Sequence, residues 1–217
     1  MLIGWILENI PYVKDDKFKN LKISSIEYTE DFKDYERFYN SWYAPPFSLY
    51  NLTYEGLHFS KMNVFPIMTT HLSLLKNFYF EFRARIIKNA LGWVFQGTRL
   101  KNNAMPVFFV MFNITQKSII RPHILRLDKD DAKNYKRFER VDASTELLNK
   151  KWFIIRTEVA DDYIKIFLDN KIIFNENFIE APYRDYCNFP NKLGEVGFRC
   201  HQTEEAIVNY VKVGELI

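Results

Sequence analysis

Residues 151–174 read KWFIIRTEVADDYIKIFLDNKIIF, and their alternation decides the fold. Side chains that suit a core alternate with polar or bulky ones along residues 152–159 and again along 163–168. A period of two is typical of β-strands, whose successive side chains point to opposite faces. Asp161-Asp162 and Asp169-Asn170 follow the two segments, and Asp and Asn suit tight turns. The stretch predicts a strand beginning at Trp152, a hairpin turn at Asp161-Asp162 and further antiparallel strands.

Other strand patterns lie on both sides of this hairpin. Residues 77–87 alternate in the same way, 105–114 form a nearly continuous apolar run, and 119–127, 195–202 and 206–214 continue the series. Strands that follow one another through short turns indicate a sandwich or barrel rather than βαβ units. We therefore expect an all-β fold, a two-sheet antiparallel jelly-roll sandwich. The residues expected in one core between the sheets are Phe80, Phe82, Phe109, Ile155, Ile166, Phe198 and Val208.

Residues 1–217 are expected to form one domain, with residues 1–40 as an N-terminal arm packed on the sandwich. All-β folds of this length often form a single unit, and the sequence contains no internal repeat or Pro/Gly/Ser-rich linker. In the arm, we expect a strand near 23–28 and a short helix or turn over 31–40, where aromatic residues recur at helical spacing. The aromatic residues that follow either seal the arm on the core or form a binding loop at its edge. They are Trp42, Tyr43, Phe47 and Tyr50.

Charge and hydropathy argue against two classes of partner. Thirty Lys and Arg face 27 Asp and Glu, a net charge of +3, whereas nucleic-acid binding usually needs a basic face or stripe. No apolar run approaches the ~18 residues of a membrane-spanning helix. We therefore expect neither a nucleic acid nor a membrane as partner.

The N-terminus and the cysteines bear on location. The first 16 residues, MLIGWILENIPYVKDD, lack the basic region and small-residue cleavage site of a signal peptide. The protein is expected in the cytoplasm if the chain is complete and outside the cell if a leader was removed. Cys187 and Cys200 are too few for a disulfide framework, and the sequence leaves open whether they are bonded.

Three separated segments carry a family resemblance. FYFEFRARI at 78–86, followed by GWVFQG at 92–97, resembles the first long core strands of concanavalin A-like sandwiches. The hairpin at 152–174 and the closing segment GEVGFRCHQTEEAIVNYVKVGEL at 194–216 resemble the later strands in the same order. The chain thus resembles the concanavalin A-like lectin/glucanase superfamily, and most of all its laminin-G-like and 3-keto-disaccharide hydrolase-like members.

This resemblance implies a carbohydrate ligand but no particular reaction. Members of the superfamily include lectins, glycan-binding modules, glycosidases and polysaccharide lyases, and a shared fold does not fix function. Retaining glucanases of the fold carry Glu-x-Asp-x-x-Glu on one strand, and this chain has no such triplet. Many members bind calcium through an Asp in the closing strand, where this chain has Asn209. A structural calcium is therefore not supported, and no cofactor is expected.

The polar faces of the strands supply the candidate ligand-binding residues. If their strands are neighbours on a concave sheet, they form a groove that suits sugars through ring stacking and charged hydrogen bonds. Arginine would also suit an acidic sugar, because its planar fork holds a carboxylate bidentately. The alternative is a solvated sheet face whose charges pair across strands. The groove is expected to contain Arg83, Trp93, Arg126, Arg199 and His201.

Three functions remain open at this point. The first is a carbohydrate-binding or carbohydrate-processing sandwich, with an oligosaccharide or polysaccharide, including acidic ones, as partner. The second is a non-catalytic protein-interaction module. The third is a glycoside hydrolase or polysaccharide lyase, for which Glu81 and Glu158 are the candidate acid–base pair. The four histidines have no metal-binding spacing, so no metal site is expected.

Overall fold

The computed structural model describes residues 28–43, 49–60, 67–69, 77–99, 106–126, 135–138, 141–142, 146–160, 163–177 and 196–216. One short helix, α1, spans Tyr35–Ser41. The first eight strands are β1 (Tyr28–Glu30), β2 (Trp42–Tyr43), β3 (Leu49–Thr53), β4 (Gly56–Ser60), β5 (Ile67–Thr69), β6 (Phe78–Lys88), β7 (Ala90–Arg99) and β8 (Pro106–Thr115). The next eight are β9 (Ile119–Arg126), β10 (Tyr135–Arg137), β11 (Val141–Asp142), β12 (Trp152–Ala160), β13 (Tyr163–Leu168), β14 (Lys171–Asn177), β15 (Val196–Arg199) and β16 (Glu205–Glu215).

These strands form two eight-stranded sheets, which we call sheet A and sheet B. Sheet A has the order β14-β13-β12-β6-β16-β4-β3, with β1 also paired to β16. Sheet B has the order β10-β9-β8-β7-β15-β5-β2, with β11 also paired to β9. The pairings between these strands are antiparallel. The predicted all-β, two-sheet antiparallel sandwich is therefore confirmed.

One phenylalanine, Phe198 of β15, joins the two sheets at the centre of the core. Its ring lies 5.0 Å from that of Phe82 and 5.5 Å from that of Phe80, both in β6 of sheet A. Trp42 and Phe59 lie against the same ring at 5.9 and 5.8 Å. Aromatic pairs at such separations stabilise a core beyond the burial of their surface alone.

The predicted core is confirmed wherever its side chains are described. Six of the seven residues are completely buried: Phe80, Phe82, Ile155, Ile166, Phe198 and Val208. The side chain of the seventh, Phe109, lies outside the described part of the chain. Cys200 is also buried and free, and its burial raises the pKa of its thiol well above the usual value. Cys187 lies outside the described residues.

The two strands predicted for residues 152–168 form an antiparallel pair, as expected. β12 begins at Trp152, and its last residue, Ala160, pairs with Tyr163 of β13. The predicted Asp161-Asp162 turn lies outside the described residues. At the next turn, Asp169 and Asn170 have φ values of 46° and 69°, the left-handed backbone that these residues tolerate.

Residues 28–43 contribute three aromatic side chains to the buried core: Phe32, Phe38 and Trp42. The helix expected over 31–40 is confirmed as α1, whose N-cap Asp34 accepts a hydrogen bond from the Arg37 amide at 2.9 Å. The indole of Trp42 lies at 9° to the ring of Phe198, so this aromatic residue seals the edge of the sandwich. Of the strand expected near 23–28, residues 23–27 lie outside the described ranges.

A buried carboxylate fixes the backbone between β1 and α1. Glu30 is fully buried, and its carboxylate accepts hydrogen bonds from the Tyr28 hydroxyl at 3.0 Å and the Phe32 amide at 2.9 Å. Arg37 lies 3.6 Å from the same carboxylate. A buried charge needs such partners, because an unpaired one would be costly.

Among the described residues, no helix is long and apolar enough to cross a membrane.

We predict that Phe198→Ala lowers the free energy of unfolding by about 3–5 kcal/mol, because it removes the ring that both sheets contact. Urea unfolding followed by tryptophan fluorescence measures the loss. Tyr163→Ala, at a side chain that is 48% exposed, is the control and should change stability by less than about 0.5 kcal/mol. A loss below about 1 kcal/mol for Phe198→Ala would contradict this account of the core.

Candidate functional site

The outer face of sheet A carries a network of paired charges. Arg156 of β12 donates from Nε to Glu158 at 2.8 Å, and its Nη1 lies 3.6 Å from Glu81 of β6. The same guanidinium lies 4.0 Å from the ring centre of Tyr79, and the Tyr210 hydroxyl donates to Glu81 at 3.1 Å. Both candidate catalytic carboxylates thus share one structural cation, as in the alternative of a solvated face with cross-strand pairs.

Two further arginines on this face stack on one indole. The guanidinium carbons of Arg83 and Arg85 each lie 4.8 Å from the ring centre of Trp152. Arg85 also donates from Nη2 to both oxygens of Glu55 at 2.7 Å. Sheet A therefore satisfies most of its outward charges with groups of its own.

The outer face of sheet B contains an open hollow of about 570 Å³, which we call the sheet B hollow. Its walls come from strands β7, β8, β9 and β15 and from the turns that join their ends. Most of its side chains can donate or accept hydrogen bonds, and three are cationic. The lining residues are Asn89, Ala90, Asn113, Thr115, Gln116, Lys117, Ile119, Arg121, His123, Arg199, His201, Thr203 and Glu204.

The strand register explains how these side chains come together. Arg199 of β15 pairs with Gly92 of β7, Gly92 pairs with Asn113 of β8, and Asn113 pairs with Arg121 of β9. Directly opposed residues of neighbouring strands share a face. Their sequence neighbours, such as Phe198, are buried in the core, so this row points outward. We call Arg199, Gly92, Asn113 and Arg121 the central row.

Glu204 fixes the turn that forms one rim of the hollow. One of its carboxylate oxygens accepts a hydrogen bond from the His201 amide at 2.6 Å, and the other accepts from the Asn113 side chain at 3.3 Å. The Glu204 amide in turn donates to the His201 carbonyl at 2.8 Å. Opposite, the Asn89 side chain donates to the Thr203 carbonyl at 2.8 Å. These bonds hold the rim on the sheet before any ligand binds.

The structure divides the predicted groove between two opposite faces. Arg199 and His201 line the sheet B hollow, but Arg83 projects from sheet A, so the prediction that they share one surface is wrong. The prediction that Trp93 lies in the groove is also wrong, because Trp93 is completely buried and its indole donates to the Thr157 hydroxyl at 3.0 Å inside the core. Arg126 lies in β9 opposite Phe108, and its side chain lies outside the described part of the chain.

Sequence reasoning predicted only two of the residues that line the hollow, and Asn113, Arg121, His123 and Glu204 are among those it missed. Asn113 lies in an apolar run that predicts a strand covered on both faces. It is nevertheless polar and stands between Phe112 and Ile114, so the alternation could have indicated that its side chain points outward. Arg121 and His123 share its face because β9 pairs with β8. Glu204 has no signal in the sequence, since its role depends on the turn between β15 and β16.

Metal ligands do not cluster in the described residues. No three His, Cys, Asp or Glu side chains in these ranges lie close enough together to hold an ion. Asn209, at the position where calcium-binding members of the resembled superfamily carry Asp, donates its side-chain amide to the Glu55 carbonyl at 2.9 Å.

Several solved structures are similar in fold to this chain. The laminarinase catalytic domain of Thermotoga maritima is 10% identical, with a TM-score of 0.62 over 89% of this chain and 98% of its own. A carbohydrate-binding module of Bacillus subtilis, CBM66, is 13% identical, with a TM-score of 0.54 over 80% of this chain and 95% of its own. The β-glucanase of Bacillus licheniformis is 11% identical, with a TM-score of 0.56 over 88% and 98%.

These likenesses confirm the concanavalin A-like jelly-roll fold expected from the sequence. No protein-family model matches the sequence, and no curated protein does. Identities this low establish the fold alone, so the function must be argued from the site.

We predict an alkaline pH effect from the sheet A network. Burial, then the charge of Glu81 and its hydrogen bond, raises the pKa of Tyr210 from 10.0 to about 12. The folded protein therefore favours the protonated hydroxyl of Tyr210. This preference contributes fully to the free energy of unfolding below pH 10.0, and the contribution is lost as the pH rises toward about 12. Urea unfolding across this pH window should show a steeper loss for the wild type than for Tyr210→Phe. Parallel curves would contradict the assignment.

Proposed function

We propose that this chain binds an oligosaccharide or polysaccharide in the sheet B hollow. The observation that carries the proposal is the lining of the hollow, where amide, hydroxyl, imidazole and guanidinium groups converge on one open face. Its volume of about 570 Å³ falls within the range of about 300–1,000 Å³ typical of small-ligand sites. The solved structures of similar fold include a carbohydrate-binding module and two glucan hydrolases by name, which supports a glycan as ligand.

The chemistry of the hollow suits sugar hydroxyl groups. Each hydroxyl donates one hydrogen bond and accepts two, so it needs partners of both kinds. Asn113, Gln116 and Thr115 offer both donors and acceptors, while Arg199 and Arg121 offer only donors. The three cations favour glycans that contain acidic sugars, and we extend the proposal to these.

We propose binding rather than hydrolysis. A glycosidase of the usual kind needs two carboxyl groups about 5–9.5 Å apart across the scissile bond. Among the described residues that line the hollow, only Glu204 carries a carboxylate, and both its oxygens already accept hydrogen bonds from the protein. Glu81 and Glu158 lie on the opposite sheet and share Arg156. The hollow thus lacks a pair of carboxylates among its described residues, and the pair on sheet A is held in an ion pair with an arginine.

The test is a glycan array followed by calorimetry on the glycans that bind. We predict that His201→Ala weakens binding of such a glycan roughly five- to ten-fold, because it removes a polar contact worth about 1 kcal/mol. Asn175→Ala, at an exposed position on β14 of sheet A, is the matched control and should not change the affinity. An array with no bound glycan, or equal losses in the two variants, would refute the proposal.

A further inference from the structure

We infer that the central row forms an anion subsite, which holds a carboxylate or sulfate carried by a sugar of the bound glycan. The inference rests on the proposed function and specifies where in the hollow the charged group lies. The subsite consists of Arg199 and Arg121 at the two ends of the row, with Gly92 and Asn113 between them.

The spacing of the row suits a ligand held from both sides. Arg199 and Arg121 lie on strands three places apart in the order β15-β7-β8-β9. Neighbouring strands are about 4.8 Å apart, so the two Cα atoms are separated by about 14 Å. Both side chains rise from the same face into the same hollow. A sugar ring placed over the middle of the row therefore has one guanidinium on each side.

Neither arginine is neutralised by a carboxylate in the described part of the chain. Within the described ranges, neither Arg199 nor Arg121 forms a salt bridge with a carboxylate. On sheet A, by contrast, Arg85 and Arg156 each pair with carboxylates. Two like charges on one face repel, so an anion between them would relieve the repulsion as well as form charged hydrogen bonds.

The one carboxylate among the described residues of the hollow does not substitute for this anion. Glu204 lies at the rim, where the His201 amide and the Asn113 side chain occupy its two oxygens. Within the described ranges, the side-chain oxygen of Asn113 accepts no hydrogen bond, since only its Nδ2 atom is engaged, with Glu204. Asn113 can then accept from a sugar hydroxyl beside the anionic group, which ties the subsite to a sugar rather than to a free ion.

Gly92 allows its neighbouring strand to approach closely within the row. A Cβ atom at this position would lie 2.9 Å from the Arg199 carbonyl oxygen and 3.5 Å from that of Phe112. A side chain at this position would collide with the backbone of β15, so a glycine is needed where strands β7 and β15 approach this closely. This close contact fixes Arg199 beside the middle of the row.

The test uses two pairs of probes, each an acidic glycan and the same glycan with its acidic groups esterified or removed. The first pair is tetragalacturonic acid and its methyl ester, and the second is a sulfated carrageenan tetrasaccharide and its desulfated form. Calorimetry at low and moderate salt should show that the acidic member of at least one pair binds roughly ten-fold more tightly, with a preference that falls as salt increases. The pair that shows the preference tells a carboxylate subsite from a sulfate subsite.

Matched variants then locate the preference. Arg199→Gln and Arg121→Gln should each remove most of it, while Arg83→Gln, which removes the same charge from sheet A, should leave it intact. Arg199→Lys keeps the charge but loses the planar fork, so it should retain only part of a carboxylate preference. Circular dichroism and thermal unfolding check that each variant is folded. If Arg199→Gln does not fold, Arg199→Lys takes its place in the comparison.

The possible failures are distinct. If neutral and acidic probes bind equally well, or if Arg83→Gln has the same effect as Arg199→Gln, the subsite is refuted while glycan binding stands. If neither these probes nor any glycan of the array binds, the proposed function itself fails and the subsite fails with it.

Discussion

The stacking of aromatic rings between the two sheets is the constraint on which the rest of the structure depends. Phe198 of sheet B lies among Phe80 and Phe82 of sheet A, and Trp93 stacks on Phe112 at 5.7 Å in the same layer. A slip of one residue in any of these strands would expose its rings and bury its polar neighbours. The core therefore fixes the outward row as well, because Phe198, Trp93 and Phe112 are each adjacent in sequence to a residue of the central row.

The two outer faces differ in how they satisfy their charges. On sheet A, arginines stack on Trp152 and Tyr79 and pair with carboxylates, an arrangement that needs no ligand. On sheet B, Arg199 and Arg121 lie at the two ends of the central row and have no carboxylate partner among the described residues. Because the arginines of sheet A are paired within the protein and those of the central row are not paired among the described residues, we place the ligand on sheet B.

The sequence was sufficient for the strands but not for the site, and the reason is physical. Alternation tells which side of its own strand Arg83 occupies, but not which sheet that strand joins. The chain crosses from sheet A to sheet B between β6 and β7, at Asn89 with a φ of 61°. Arg83 and Trp93 therefore belong to different sheets, and Trp93 faces the core. Long-range pairing, which no local pattern encodes, decides the site.

The central claim is that a glycan lies on the outer face of sheet B. Amide chemical shifts of the isotope-labelled protein, measured during titration with a glycan that binds on the array, test this most directly. Our account predicts shifts concentrated at Gly92, Asn113, Arg199 and Glu204, with none at Arg83 or Trp152. Shifts centred on Arg83 and Trp152 instead would place the ligand on sheet A and contradict the account.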